Sequence, residues 1–211
     1  MGLVLADGLI EHGHCVKVGT RDISKKEVVE WISKHTTKEE EGRAIIGSFA
    51  EAASFADDIA VLCTSWSEVW NAIKLAGPSN FEGKVVIDTT NPLDFSKGLP
   101  PRMAFGFTDS ASEIIQRLIP KAKVVKAFNI VGNTHMVNPD FPCGPPTMFI
   151  CGNDEESKSM LIETILTPFG WETIDIGKLE GARLLEPLAM LWITHYFRTG
   201  NGNHAFKLLR K

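Results

Sequence analysis

Thr20, Arg21 and Lys25 lie close together, directly after the apolar run Cys15-Val16-Lys17-Val18-Gly19. Arginine presents a planar fork of N–H donors that matches phosphate oxygens. Thr20 adds a hydroxyl and Lys25 a second positive charge, so the three together suit a phosphate monoester. Three other stretches also follow apolar runs: Thr64-Ser65-Trp66, Thr89-Thr90-Asn91-Pro92 and Asn129-Ile130-Val131-Gly132. Their residues are small, polar or aromatic. They contain no Ser/His/Asp set, no paired carboxylates and no H-E-x-x-H. Hydroxyls and amides of this kind suit holding a cofactor better than acid–base hydrolysis. His135 and His195 are the remaining acid–base candidates, and both read as structural. No catalytic residue and no metal ligand is assigned.

The elements that must position these residues alternate along the chain. Leu3, Val4, Leu5, Ala6, Leu9 and Ile10 recur at helical spacing, and His12-Gly13-His14 ends that helix. Strands are expected at 15–19, 44–47, 58–64, 84–88, 123–128, 147–151 and 171–176. Helices are expected at 24–35, 48–55, 68–76, from Asp109 or Ser110 to Ile119, at 154–167 and at 180–198. Ser24 and Glu27 have capping-box spacing for the second helix. Residues 38–42 read as a charged loop. The continuous apolar run at 58–64 predicts a strand buried on both faces. Residues 129–146, rich in Asn, Gly and Pro, read as a functional loop or lid. The alternation predicts an α/β, Rossmann-type, doubly wound parallel sheet. The dinucleotide-binding domain should span 1–146, with a smaller carboxyl-terminal α/β lobe at 147–211. Such sheets bind ligands at the carboxyl ends of their strands.

In dinucleotide folds the end of the second strand meets the adenine ribose. An acidic residue there selects NAD, and an arginine accommodates the 2′-phosphate of NADP. Thr20-Arg21 follows Gly2 by about 18 positions, close to the spacing of that motif. Gly2 therefore reads as the last glycine of G-x-G-x-x-G, where helix and strand pack too closely for a side chain. On this reading the first strand and first two glycines are expected ahead of Met1. Losing that strand would separate the 15–19 strand from the 58–64 strand.

Composition excludes other classes. With 44% apolar and 23% charged residues the chain can pack a core, and its net charge of −4 argues against a nucleic-acid partner. No apolar run approaches the ~20 residues that span a bilayer, and no basic-then-apolar signal-peptide pattern is read, so none is expected. Cys15, Cys63, Cys143 and Cys151 are widely spaced, which suits reduced, buried thiols in a cytoplasmic protein.

Several stretches, in order, resemble the coenzyme F420-dependent NADP oxidoreductases. "LADGLIEHGHCVKVGTRD" is similar to that family's first helix, second strand and phosphate loop. "DIAVLCTSW" resembles its fourth strand, "KVVKAFNIVG" the strand and loop facing the deazaflavin, and "CGNDEESK" with "ARLLEPLAMLWITHYFRTGNG" its carboxyl-terminal lobe. The resemblance implies hydride transfer between NADP(H) and F420 or a flavin. It implies that Thr20, Arg21 and Lys25 bind the 2′-phosphate. Thr64, Ser65 and Trp66 would lie near the nicotinamide, and Asn129, Ile130 and Val131 would face the second ring. Asn91 and Gly2 complete the expected cofactor site. Asn129 replaces a histidine of archaeal members. Small-molecule redox partners and a homodimer are expected. The competing reading is a non-catalytic NADPH-binding module or an amino-terminally truncated homologue.

Overall fold

The computed structural model describes residues 1–35 and 42–211. Most of the expected loop at 38–42 therefore lies outside the described residues. Helix α1, Gly2–Glu11, packs against β1, Val16–Gly19, which pairs in parallel with β2, Ala44–Gly47. Between them runs α2, Lys26–Lys34. The apolar faces of α1 and α2 meet at Ala6, Ile10 and Trp31, covering one face of this two-stranded sheet. Helix α3, Phe49–Phe55, leads to β3, Ile59–Leu62, and α4, Val69–Ala76, to β4, Val85–Asp88.

A short antiparallel pair, β5 (Leu93–Asp94) with β6 (Arg102–Met103), then precedes α5, Ala111–Leu118, and β7, Lys123–Lys126. The remaining elements are β8 (Thr147–Gly152), α6 (Glu155–Leu161), β9 (Glu172–Asp175) and α7 (Ala182–Thr199). The main sheet has the order β3-β4-β7-β8-β9. It is parallel except where β7 meets β8, so the expectation of a wholly parallel sheet is corrected at that junction.

Local chemistry explains the helix starts. The expected Ser24–Glu27 capping box is absent. The Ser24 N–H and hydroxyl instead donate to Asp22 Oδ1, which closes the turn before α2, and that helix begins at Lys26. The full capping box forms at Ser48 and Glu51. Ser110 caps α5 by accepting from the Glu113 N–H. The helix expected at 154–167 is α6 followed by a wider turn at Ile162–Leu166.

β1 and β3 are not paired with one another among the described residues, and each is bonded along one edge only. Their other edges border a cleft of about 910 Å³, floored by α1 side chains such as Leu5 and Leu9. The expectation that 58–64 is buried on both faces is corrected here. Ile59, Ala60 and Val61 are half-buried because they face this cleft, while every residue of β4 is buried.

The main core runs across the 146/147 position. Leu5 of α1, Ile87 of β4, Val125 of β7, Ile150 of β8, Leu161 of α6 and Ala189 of α7 belong to one apolar cluster. The loop at 129–146 is anchored in it. Met136 is fully buried and its carbonyl accepts from Trp171 Nε1 at 2.9 Å. The expectation that every cysteine is buried is corrected. Cys15 and Cys143 are exposed and Cys151 is buried, and all four are free thiols.

Gly8 joins α1 to that loop. A Cβ there would overlap both methyls of Val137. Gly8→Ala should lower stability by about 1–3 kcal/mol, the usual cost of overpacking. Val137→Ala in the same chain should recover part of that loss. Urea denaturation of the single and double variants measures it. A neutral Gly8→Ala would show that α1 does not seat on the loop.

Candidate functional site

Parallel strands place their carboxyl ends at one edge of the sheet, and the turns following β1, β3, β4 and β7 carry the residues singled out above. After β1, Thr20 donates to the carbonyl of Asp22 at 3.1 Å and so shapes the turn that presents Arg21. Arg21 Nη1 donates to Glu68 Oε2 at 2.7 Å. Lys25, the residue preceding α2, has no ion-pair partner among the described residues and borders the large cleft with Thr20. After β3, Thr64 lines both that cleft and an adjoining cavity of about 150 Å³ bounded by Arg21, Ser65, Glu68 and Asn71. Trp66 meets Phe105 edge-on, with ring centroids 5.3 Å apart.

After β4 and β7, two asparagines interlock. Asn91 Nδ2 donates to the Asn129 carbonyl at 2.8 Å. Asn129 Nδ2 donates to Asn91 Oδ1 at 3.0 Å and to the Leu185 carbonyl at 2.9 Å. Both amide hydrogens of Asn129 are thereby used, which fixes the orientation of its side chain. Its Oδ1, like Thr64 Oγ1 and Thr90 Oγ1, is buried and has no partner among the described residues. These three atoms sit just beyond β3, β4 and β7, which are neighbours in the sheet. A buried polar atom without a partner costs about 1–3 kcal/mol.

Beneath this row lies a charge cluster shut away from water. Lys126 Nζ, fully buried, donates to Asp88 Oδ2 and Glu186 Oε1, both at 2.9 Å, and to the Thr90 carbonyl at 2.6 Å. Its three donors are all used. Asp88 also accepts from Ser112 Oγ and the Thr90 N–H. Glu186 accepts from the N–H groups of Ala111 and Ser112 in the first turn of α5. A helix amino terminus carries partial positive charge, which offsets the second carboxylate. Burial pushes the Glu186 carboxyl up, and the Lys126 charge pulls it partly back. Burial opposes the Lys126 charge, but Asp88 and Glu186 outweigh it and hold its proton above the ordinary lysine range. Burial also pushes the Cys63 thiol up to about 11, which disfavours its thiolate.

A family model described as "NADP oxidoreductase coenzyme F420-dependent" matches residues 1–92. The F420-dependent NADP reductase of Methanocaldococcus jannaschii is 30% identical over 178 residues, covering 83% of this chain and 79% of that protein. This chain belongs to the coenzyme F420-dependent NADP oxidoreductase family. It is an NADP-dependent oxidoreductase with a Rossmann-like fold. A crystal structure from Arthrobacter sp. FB24, itself assigned rather than established as an F420-dependent NADP reductase, is 33% identical. It superposes with a TM-score of 0.90 over 99% of this chain and 94% of that one. The Aspergillus terreus reductive aminase crystallised with NADPH4, cyclohexanone and allyl amine, 20% identical with a TM-score of 0.62 over 95% of this chain and 59% of that one, shares the fold.

Of the residues singled out in the sequence, Gly2, Thr20, Lys25 and Thr64 border the large cleft. Arg21 and Ser65 border the smaller cavity beside it. A Cβ on Gly2 would come within 3.3 Å of the Cys63 Cβ, so α1 does press closely on the end of β3. The side chains of Ile130 and Val131 turn into the main core, leaving only their backbone toward the strand ends. Asn91 and Asn129 come together. Sequence reading missed the Asp88–Lys126–Glu186 cluster, Glu68 and Phe105. The signals for the cluster were a lysine directly after the apolar pair Val124-Val125 and a glutamate within an apolar helix.

Lys126→Met should cost about 3–5 kcal/mol in chemical denaturation, because it strands two buried carboxylates. The sign with pH follows from the shifts. Lys126 has a raised folded pKa, so its contribution is full below the ordinary lysine value and is lost as pH rises through the folded one. In the variant the largest influence holding Glu186 down is gone and only the α5 N–H groups remain, so the deficit should shrink as pH falls and Glu186 takes up a proton. A deficit that stays constant from pH 8 to 5 would remove Glu186 from the cluster.

Proposed function

We propose that this chain transfers hydride between NADP(H) and a deazaflavin of the F420 type. The observation that carries the reading is the row of orphaned buried atoms, Thr64 Oγ1, Thr90 Oγ1 and Asn129 Oδ1, along three adjacent strand ends. A flat ring with N–H groups and oxygen acceptors would pair them if these turns part on binding, since each atom has almost no accessible surface in the free chain. The family membership and the name of the M. jannaschii relative support the same two cofactors.

Thr20, Arg21 and Lys25 would hold the 2′-phosphate, with the guanidinium supplying the charge-assisted donors. Thr64, Ser65 and Trp66 would run beside the nicotinamide. Asn129 Oδ1 would accept an N–H from the second ring, held in place by Asn91 and Leu185. When bound, nicotinamide and deazaflavin supply the donor and acceptor carbons between which the hydride passes. The chain's part is to align the two rings and exclude water. Buried Ile130, Val131 and Met136 make a dry wall behind the site. No side chain at these strand ends is placed as a proton donor, so the proton that accompanies hydride transfer to the deazaflavin, or leaves in the reverse direction, would be exchanged with solvent.

Arg21→Ala should weaken NADPH binding by about 1.5–3 kcal/mol and NADH binding little, measured by fluorescence titration. Equal weakening of both would remove the phosphate assignment. NADPH oxidation should proceed with F420 as acceptor. Turnover with FMN or FAD alone would move the reading to a flavin, and turnover with aldehydes alone would overturn it. Tight NADPH binding with no turnover would favour the non-catalytic module.

We further propose that the cleft between β1 and β3 takes one extended strand parallel to both. Two facing edges of unsatisfied N–H and C=O groups, with half-buried Val18, Ile59 and Val61 beside them, support this. A strand there would enter α1 through Gly2 and aim its amino terminus at the cofactor. Extending the chain ahead of Met1 by about six apolar residues and a Gly-rich turn should raise the melting temperature and tighten NADPH binding. An unchanged melting temperature would reject the strand.

A further inference from the structure

We infer that Glu68 sets how tightly this chain holds a 2′-phosphate, by placing a carboxylate on the arginine that the phosphate must use. The inference rests on the phosphate assignment of Arg21 made above. Arg21 and Glu68 lie 47 positions apart, in the turns after β1 and β3, and meet only because those strand ends converge. Arg21 Nη1 and Glu68 Oε2 are 2.7 Å apart, and both side chains are about half exposed, at 52% and 42%. The carboxylate thus takes one prong of the fork that would grip a phosphate.

The surroundings decide what the contact does. The neighbouring acidic group, Asp22, is exposed, makes no ion pair with Arg21, and has Oδ1 bonded to the Ser24 N–H and hydroxyl. Glu27 of α2 borders the large cleft beside Lys25. Glu68 is therefore the carboxylate in direct contact with the phosphate-binding cation, and it borders the same 150 Å³ cavity as Arg21. A phosphate dianion approaching Arg21, Thr20 and Lys25 has to displace that carboxylate and then bind beside its charge. An exposed ion pair is worth little, so displacement is feasible. The like charge remains nearby and subtracts from the affinity. A ribose 2′-hydroxyl, which is neutral, meets no such repulsion. Glu68 thus narrows the margin between phosphorylated and unphosphorylated dinucleotides.

Glu68→Gln keeps an oxygen for Arg21 and removes the charge. Calorimetric titration with 2′,5′-ADP and with 5′-AMP isolates the phosphate. The variant should bind 2′,5′-ADP about three- to tenfold tighter at low salt, with the gain fading as ionic strength rises. Binding of 5′-AMP should not change. Glu68→Ala should move in the same direction, since the charge and not the hydrogen bond is at issue. If both variants bind 2′,5′-ADP more weakly, Glu68 orients Arg21 for the phosphate and the inference is overturned. Unchanged affinity in both also overturns it. Arg21→Ala separates the two levels of failure. If it weakens 2′,5′-ADP while the Glu68 variants do nothing, only the role of Glu68 falls. If it too leaves 2′,5′-ADP unaffected, the phosphate site itself is misplaced and both readings fall.

Discussion

A single buried ammonium ties the carboxyl edge of the sheet to the rest of the molecule. Lys126 joins Asp88 at the end of β4 to Glu186 on α7, and Glu186 in turn caps the first turn of α5. Burying charges is expensive, and this arrangement is tolerable only because each donor and acceptor is matched. The consequence is geometric. Thr90 lies two residues beyond Asp88, and Asn129 three beyond Lys126. The polar atoms proposed to meet the cofactor are therefore pinned by the same cluster that attaches the carboxyl-terminal helix. Asn129 repeats the connection by donating to the Leu185 carbonyl, one residue before Glu186.

The site is rigid on one side and open on the other. Toward β4 and β7, the backbone is buried and Asp88, Lys126, Asn91 and Asn129 are cross-bonded. Toward β1 and β3, two strand edges face a cleft, and the residues beside it are half-buried. The side chains proposed to bind the phosphate belong to the open side, where Arg21 rests on a surface carboxylate. This division suits the chemistry proposed. Ring alignment demands fixed groups, because small displacements of the reacting atoms are costly. Phosphate recognition works through charge and tolerates a looser frame.

Local signals in the amino-acid sequence determined the elements and their order. Apolar runs marked β1, β2, β3, β4, β7, β8 and β9 to within a residue or two, and Ser110 marked the start of α5. The alternation was enough to place Thr20, Arg21, Thr64, Asn91 and Asn129 at strand ends, since side-chain period and turn chemistry act over a few neighbours. Local pattern was also misleading at Ser24, where an Asp two residues earlier competed successfully for the hydroxyl.

Contacts between distant residues were decided only by the tertiary structure. The antiparallel β7–β8 junction depends on which edge of the sheet a returning strand meets, and no local spacing records that. The inward turn of Ile130 and Val131 follows from where the core lies, not from their type. Arg21 and Glu68, and likewise Asp88, Lys126 and Glu186, are ordinary charged residues in the sequence. They become a pair and a cluster because parallel strands deliver their carboxyl ends to one edge, so separations of 47 and 60 positions close to hydrogen-bond distance. Charge acts through space, and its partners are set by the fold that brings them within reach.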